Sequence, residues 1–441
     1  SMSTVEEVKI LSKTFKGGIH PDYNKERTFA RAIERLPAPD KVIIPLRQHI
    51  GAACEPLVRK GDYVKLGQPI GESDASISCP VHSSVSGTVK AVEPRWNQNG
   101  TRELSVVIEN DFEDRRFEEC FPREKEMKRL SPEDIVEGAR RYGIVGMGGA
   151  AFPTNSKIGS TAGKTKDVLI NACECEPYIT SDDMVMCTRT ADVIGGARML
   201  AKVLGAEKSI IAIEDNKPEA IEALKAAAGD DELVEIRVLP TRYPQGAKKQ
   251  LILAVTGREV APGARSGALF NVTTTANVFR AATKGAPLLE KIVTVTGDGA
   301  LEPKNMLVRI GTSFADVVKA AGGISEETAK VVAGGPMMGK AVESLDVPVV
   351  KGTNAILCLT KLTENNAEGA CIRCGKCVSV CPMQLEPLYL YRFAKAENKE
   401  MLEEFYLNDC MECGCCSFVC PAKLPLTETF VLAKSMLKGG K

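Results

Sequence analysis

Residues 371–382 read CIRCGKCVSVCP, and residues 410–421 read CMECGCCSFVCP. Each run has three cysteines at intervals of three residues, a fourth cysteine four residues further on, and then a proline. In such a run three thiolates hold one [4Fe–4S] cluster, while the fourth reaches the cluster of the other run. The repeat therefore predicts a ferredoxin-like helical domain that holds two clusters and moves electrons.

This crossed ligation divides the eight cysteines into two sets of four. The predicted sets are Cys371, Cys374, Cys377 and Cys420 for one cluster, and Cys410, Cys413, Cys416 and Cys381 for the other. Zinc is the alternative metal, because pairs of the form C-x2-C also build zinc ribbons. A zinc ribbon uses two such pairs. It does not need the third and fourth cysteine and the proline that both runs contain, so the spacing favours clusters.

Length and composition narrow the class of protein. A chain of 441 residues is about three times the usual domain size, so we expect several domains. Lys plus Arg and Asp plus Glu are 57 each, and the balance makes nucleic acid an unexpected partner. No stretch approaches the ~18–20 apolar residues of a membrane span, and SMSTVEEVKILSK does not resemble a signal peptide. We therefore expect a cytosolic location or a cytosolic membrane face. Thiols stay reduced in the cytosol, so sixteen cysteines there indicate thiolate chemistry.

Changes of pattern divide the chain into segments of a multidomain α/β protein. Short β-rich pieces between glycines predict a barrel-sandwich, whose hairpin tip ESDAS at 72–76 has no lysine to carry a lipoyl or biotinyl arm. A charged stretch at 95–128 suggests a connector, and alternating strand and helix signals then predict a mainly parallel layer. The predicted boundaries are 1–38 for an N-terminal strap, 39–100 for the barrel-sandwich hybrid domain, 130–285 for the α/β domain, 286–360 for a β-grasp (SLBB-like) domain and 362–430 for the two-cluster domain.

The glycine-rich sequence GMGGAAFPT at 146–154, with Lys157 close behind, indicates a ligand loop. Bare glycines let backbone amides approach a phosphate or a flat ring, and the lysine adds a positive charge. The pattern G-x-G-x-x-A also occurs in Rossmann folds, but there a strand precedes the loop. Here SPED at 131–134 predicts a helix before it, and Pro153 follows at once, so a Rossmann fold is disfavoured.

Three segments together resemble the FMN- and NADH-binding 51-kDa-type subunit of respiratory complex I. They are GMGGAAFPT with Lys157, NACECEP at 171–177 and NVTTTAN at 271–277. With the GGIHP strap, the barrel-sandwich, YPQG at 243–246 and the cysteine runs, the order of segments is similar, more specifically, to the C subunit of the Rnf ion-translocating electron transport complex. The resemblance implies FMN, NAD(H) as substrate, and a peripheral place on the cytoplasmic face of the cell membrane. It also implies membrane and peripheral subunits of an Rnf-type complex as partners, and ferredoxin as an indirect one.

The resemblance further implies a set of cofactor-binding residues and no catalytic residue, since hydride chemistry takes place on FMN. The implied residues are Gly146, Gly148 and Lys157 at the flavin phosphate with Gly149 in the same loop, Phe152 against the adenine of NADH, Asn171, Glu174 and Glu176 along flavin and nicotinamide, Tyr243 and Gly246 against the isoalloxazine, and Asn271 and Thr274 at the phosphate end. The departures from the complex I pattern are Met147 for arginine, Cys173 for aspartate, and Ala247 and Lys248 for two glutamates. They concern nicotinamide contacts more than flavin binding.

The function predicted from the resemblance is that of one component of an ion-transporting ferredoxin:NAD+ oxidoreductase. It would exchange hydride between NAD(H) and FMN and pass single electrons through two clusters. One alternative is a flavin-dependent cobalamin reductase, a family that shares these parts but starts at the flavin loop. The other is a cluster-bearing scaffold without hydride chemistry.

Overall fold

The computed structural model describes residues 14–29, 31–122, 124–149, 151–261, 267–360 and 368–438. Residues 1–13 of the predicted strap and 362–367 of the predicted cluster domain lie outside these ranges. Within them the chain forms a barrel-sandwich, a parallel α/β layer, a mixed β-grasp sheet and a small helical domain. No helix in the described part is long and apolar enough to cross a bilayer.

The strap crosses the other domains before the barrel-sandwich begins. It holds a 3-10 turn, Lys25–Arg27, and β1 (Glu34–Arg35), which pairs in parallel with a strand of the β-grasp sheet. The barrel-sandwich then consists of an antiparallel sheet of four strands and another of three. Its strands are β2 (Lys41–Pro45), β3 (Glu55–Pro56), β4 (Tyr63–Val64), β5 (Pro69–Glu72), β6 (Val81–His82), β7 (Gly87–Trp96) and β8 (Arg102–Asn110). Alternate apolar side chains of β2 face the interior, as the period of a strand requires.

The strand β8 lies in the charged stretch that the sequence suggested as a connector. It pairs with β2 as far as Glu109 and with β7 as far as Asn110, beyond the predicted boundary at residue 100. Val106 and Ile108 of this strand are completely buried in the barrel-sandwich core. The charges that flank β8 are exposed at its ends, and they obscured a short apolar strand in the sequence pattern.

The α/β layer has a four-stranded sheet in the order β11-β10-β9-β12, with every pair parallel. Its elements are α1 (Pro132–Arg141), α2 (Thr154–Thr161), β9 (Asp167–Ala172), α3 (Ser181–Thr188), α4 (Thr190–Leu204), β10 (Lys208–Glu214), α5 (Pro218–Ala228), β11 (Val234–Leu239), α6 (Lys248–Thr256), β12 (Leu269–Asn271) and α7 (Val272–Lys284). Helix α1 begins at a capping box of Ser131 and Asp134, as SPED predicts. Six of the seven residues of β10 are buried, because helices cover both faces of the sheet.

The β-grasp sheet and the helical domain complete the chain. The β-grasp elements are β13 (Glu290–Thr296), β14 (Lys304–Arg309), α8 (Phe314–Ala320), β15 (Thr328–Ala333), β16 (Lys340–Ala341) and β17 (Ala355–Thr360). The helices of the last domain are α9 (Lys376–Ser379), α10 (Pro387–Lys395), α11 (Lys399–Glu404), α12 (Cys415–Phe418) and α13 (Leu426–Lys438). Leu390, Leu402 and Phe430 form the centre of its core.

One buried lysine joins three domains just before the glycine-rich loop. The ammonium of Lys351, in the β-grasp domain, donates to the carbonyl of Pro80 at 2.9 Å and to that of Gly143 at 2.7 Å. Its own carbonyl accepts from the buried Lys291 at 2.9 Å. Burial lowers the pKa of Lys351. These contacts fix the barrel-sandwich and the β-grasp domain at the base of the loop.

Candidate functional site

The residues implied in flavin binding meet at the carboxyl-terminal edge of the parallel sheet. Asn171 near the end of β9 and Asn271 at the end of β12 are register partners on neighbouring strands. The loops after β9 and β11 leave the sheet at the same edge. Open parallel sheets bind their ligands at this edge, where the strand order lets loops diverge. The topology therefore brings segments that are distant in sequence to one place.

The glycine-rich loop is closed at its base and open at its tip. The amide of Gly146 donates to the carbonyl of Phe152 at 2.9 Å, and Val145 and Pro153 form an isolated bridge. A Cβ at Gly148 would lie 3.1 Å from the side chain of Asn271, so the loop passes directly over this asparagine. At Gly149 a Cβ would meet no atom within 4 Å. The exposed backbone of Gly148 and Gly149 is thus available to a ligand.

The amino end of α7 lies under this loop. Asn271 caps the helix by accepting from the amide of Thr274 at 3.1 Å, and its own amide donates to Asp182 at 2.7 Å. The hydroxyl of Thr274 accepts from the amide of Met147 at 2.9 Å. Met147 stands where the complex I pattern has arginine. Its amide holds the loop on α7, and its buried side chain offers no charge to a ligand.

Two lysines give this locus a positive charge. The ammonium of Lys157 on α2 donates to the carbonyl of Leu269 and lies 4.7 Å over the ring of Phe270. Burial, with the Lys248 ammonium as a second cause, lowers the pKa of Lys157 to about 8. Within the described ranges neither lysine pairs with a carboxylate. Two unpaired cations beside an open glycine loop and a helix amino end fit a phosphate group.

The other side of the locus is formed by the loop after β11. The side-chain amide of Asn171 donates to the carbonyl of Gly246 at 2.8 Å, which holds this loop to the end of β9. Between Tyr243 and Gly246, the side chain of Gln245 is fully buried, and both its polar atoms lack a partner in the described structure. Buried amides are normally hydrogen-bonded. An unpaired amide here fits a flavin ring, whose edge carries both donors and acceptors.

The two glutamates after β9 make structural contacts. The carboxylate of Glu174 accepts from the amides of Asp182 at 2.6 Å and Asp183 at 3.0 Å, and thus caps α3. That of Glu176 accepts from the amides of Met338 at 2.8 Å and Met337 at 3.2 Å, in the β-grasp domain. Burial raises the pKa of Glu174 to about 8, although the Lys25 ammonium acts to lower it. Burial also raises the pKa of Glu176 to about 7, although its two amide donors act to lower it. Both side chains thus anchor the 174–179 loop.

Tyr243 connects the site to the helical domain. Its side chain is 1% exposed, and its hydroxyl donates to the carbonyl of Cys413 at 2.7 Å. Tyr243, Cys413 and Cys415 belong to one buried cluster, against which Cys175 and Met337 also pack. The loop implied at the isoalloxazine is therefore in direct contact with a cysteine of the second run.

The eight cysteines of the two runs line two cavities of the helical domain. Cys381, Cys410, Cys413 and Cys416 line one of them, together with Cys415. Cys371, Cys374, Cys377 and Cys420 line the other. Each set takes its fourth cysteine from the opposite run, as crossed ligation predicts. In the part of the chain that the structure describes, no three His, Cys, Asp or Glu side chains converge so as to hold a single metal ion. Two cavities with four thiols each are the arrangement that a pair of [4Fe–4S] clusters with crossed ligation requires.

The cavities differ in exposure. Cys413 and Cys416 of the first are buried, whereas Cys371 and Cys374 of the second are exposed. Ile372, between those two, is 67% exposed. One cavity thus lies inside the molecule against Tyr243, and the other opens at the surface.

Most, but not all, of the implied residues face one locus. Gly146, Gly148, Gly149, Lys157, Asn171, Gly246, Asn271 and Thr274 are brought together there. Phe152 is half-buried in the same loop. The sequence did not single out Asp182 or Lys25, because their roles depend on contacts with residues far away in the chain. It also did not single out Gln245, whose burial without a partner is visible only in the fold.

Four family models match the chain. They are the RnfC barrel sandwich hybrid domain at 13–113, the Nuo51 FMN-binding domain at 139–280, the SLBB domain at 292–341 and the 4Fe-4S dicluster domain at 370–424. These matches confirm the predicted fold class.

Similar proteins include two that the chain covers almost whole. One is the C subunit of the proton-translocating ferredoxin:NAD(+) oxidoreductase complex of Clostridium ljungdahlii, 44% identical over 406 residues, with 90% of this chain and 88% of that protein covered. Another is the C subunit of the Na(+)-translocating ferredoxin:NAD(+) oxidoreductase complex of Acetobacterium woodii, 45% identical over 388 residues, with 87% of each covered. The C subunit of the ion-translocating oxidoreductase complex of one Haemophilus influenzae strain is 42% identical over 431 residues, with 96% of this chain and 64% of that protein covered.

Proposed function

Since the chain belongs to the family of C subunits of Rnf-type ion-translocating ferredoxin:NAD+ oxidoreductase complexes, we propose that it exchanges electrons between NAD(H) and the other subunits of such a complex. Its cofactors are FMN and two [4Fe–4S] clusters. Bound FMN supplies the chemistry that converts a hydride into single electrons. The proposal depends on the contact between Tyr243 and Cys413, because this contact joins the flavin locus to a cluster cavity.

The chain's own residues have distinct tasks at the flavin. The exposed amides of Gly148 and Gly149 bind the phosphate, with charge from Lys157 and Lys248. The buried amide of Gln245 pairs with the heteroatoms of the ring. Phe152, half-buried in the same loop, is the proposed stacking partner of the adenine of NADH. These assignments are supported by the open loop, the unpaired cations and the unpaired amide.

The proposed cluster ligands are the two crossed sets of four cysteines. Cys381, Cys410, Cys413 and Cys416 hold the inner cluster, beside Tyr243, and Cys371, Cys374, Cys377 and Cys420 hold the outer one. The exposure of Cys371 and Cys374 supports the order, since electrons have to leave toward a partner at the surface. In the proposed assembly the chain is peripheral, on the cytoplasmic face of the cell membrane, beside membrane subunits and with ferredoxin as an indirect partner.

Glu174 and Glu176 have a different proposed role from the one implied by the resemblance. Their carboxylates accept hydrogen bonds from amides of α3 and of the β-grasp domain. They therefore shape the nicotinamide side of the site through the backbone of the 174–179 loop. The cobalamin reductase alternative is not supported by the match to the RnfC barrel sandwich at 13–113, which precedes the flavin loop.

Anaerobic titration of the reconstituted chain with NADH tests the function. We expect flavin absorbance to bleach first and cluster absorbance to follow within the same chain, with about eight irons per protein. A flavin that bleaches while the clusters stay oxidised would contradict the wiring. No bleaching at all would support the scaffold alternative.

A further inference from the structure

Residues 15–28 of the strap contact three parts of the proposed electron path. Its first part lies on the cluster domain: the amide of Gly18 donates to the carbonyl of Val380 at 2.8 Å. At Gly17, with φ 75°, a Cβ would lie 2.5 Å from the carbonyl oxygen of Cys381, a proposed ligand of the inner cluster. Only glycine combines this backbone conformation with this close approach.

The middle of the strap holds the turn that carries Tyr243. Ile19 and Tyr243 exchange two backbone hydrogen bonds of 2.8 and 3.0 Å. The guanidinium of Arg242 donates to the carbonyls of Phe15 and Gly17 and lies 4.8 Å over the buried ring of Phe15. The strap and this turn therefore form one unit against the inner cavity.

The last part of the strap holds the 174–179 loop. The ammonium of Lys25 donates to the carbonyls of Glu174 at 2.8 Å, Glu176 at 2.9 Å and Ile179. The amide of Tyr178 donates to the carbonyl of Tyr23 at 2.6 Å. One side chain thus uses its three donors to fold a loop that lies about 150 residues away in the chain.

We propose that the strap is a positioning element that sets the flavin locus and the inner cluster at a fixed separation, with Lys25 as the positioning residue on the flavin side and Gly17 as the close contact on the cluster side. The inference rests on the proposed function, because it concerns the two steps of that electron path. It predicts that the two ends of the strap affect different steps.

Two variants of the full, reconstituted chain separate these steps. Lys25→Met should raise the KM for NADH and slow flavin reduction by about tenfold or more, because the 174–179 loop loses three hydrogen bonds, and Lys25→Arg should restore part of the loss. Gly17→Ala should slow cluster reduction several-fold and flavin reduction less, because the added Cβ has to displace the carbonyl of Cys381. Stopped-flow absorbance follows both steps.

Matched controls are available for both variants. Lys16→Met removes an exposed strap lysine that makes no hydrogen bond in the described part of the chain, and Gly61→Ala adds a Cβ at φ 96° with no atom within 4 Å. Both should behave as wild type in the two kinetic steps.

Hydrogen–deuterium exchange of residues 174–180 gives a readout that needs no turnover. It should accelerate in Lys25→Met only. Wild-type exchange and kinetics in Lys25→Met, or equal loss of both steps in both variants, would overturn the proposal. If the wild-type chain were not reduced by NADH, the proposed function would fail, whereas the exchange result would still test the strap.

Discussion

One methyl group added on α4 should displace the amino end of α7. Gly196 on α4 packs so closely on α7 that a Cβ there would lie 2.0 Å from the carbonyl oxygen of Thr275. A close carbon–oxygen contact is about 3.3 Å, so Gly196→Ala has to move α7 by more than about 1 Å. Thr275 follows Thr274, whose hydroxyl holds the glycine-rich loop through Met147. The substitution therefore perturbs the flavin locus without touching it.

Two opposing effects set the change in stability, and a third sets the change in FMN affinity. Overpacking a tight contact costs about 1–3 kcal/mol, and alanine recovers about 1 kcal/mol because it favours a helix more than glycine does. Loss of the hydrogen bond between Met147 and Thr274 costs about 1 kcal/mol. Gly196→Ala should thus weaken FMN binding by about five- to tenfold and lower the temperature at which FMN is released.

FMN fluorescence, measured by titration and in a thermal ramp, gives both quantities. The control is Gly159→Ala on the exposed side of α2, where a Cβ meets no atom within 4 Å. It should leave FMN affinity unchanged and raise stability by up to about 1 kcal/mol. If Gly196→Ala bound FMN as tightly as wild type and released it at the same temperature, the proposed dependence of the loop on the α4–α7 contact would be refuted.

Three further predictions concern the ligands of the cofactors. FMN affinity should fall as pH rises through about 8, where Lys157 loses the proton that favours a bound phosphate, and Lys157→Met should bind FMN more weakly with that pH dependence removed. Tyr243→Phe should lower the midpoint potential of one cluster and not of the other, because only Cys413 loses a donor near its cluster; equal shifts in a redox titration would contradict this. Cys420→Ser should abolish the EPR signal of the outer cluster, and Cys381→Ser that of the inner one, the reverse of the result if each run held its own cluster.

The cysteine runs and the glycine-rich loop could be predicted because their chemistry is local. Spacing alone predicts two crossed sets of four cysteines, and each set lines one cavity, while its role in holding a cluster stays a prediction. The capping box at Ser131 likewise depends on residues within one turn. Such features depend on short stretches of sequence, so they can be predicted without the tertiary structure.

The roles of Glu174 and Glu176 could not be predicted in the same way. An acidic residue after a strand is compatible with ligand binding and with helix capping, and only the position of α3 decides between them. The role of Glu176 depends on two amides that lie 161 and 162 residues away. Lys25 gave no signal at all, because a lysine in a loop of the strap is indistinguishable in sequence from a solvated one.

The junction beside the inner cavity joins four segments of the chain. Ile19 of the strap, Tyr243 of the α/β layer, Met337 of the β-grasp domain and Cys413 of the helical domain meet in one buried cluster. No two of these residues are close in sequence, and each comes from a different segment. An isolated flavin domain or an isolated pair of clusters would lack this contact, so neither could hold a fixed distance between the cofactors. Joining a two-electron site to one-electron carriers is therefore a property of the junction, which exists only when the four segments fold together.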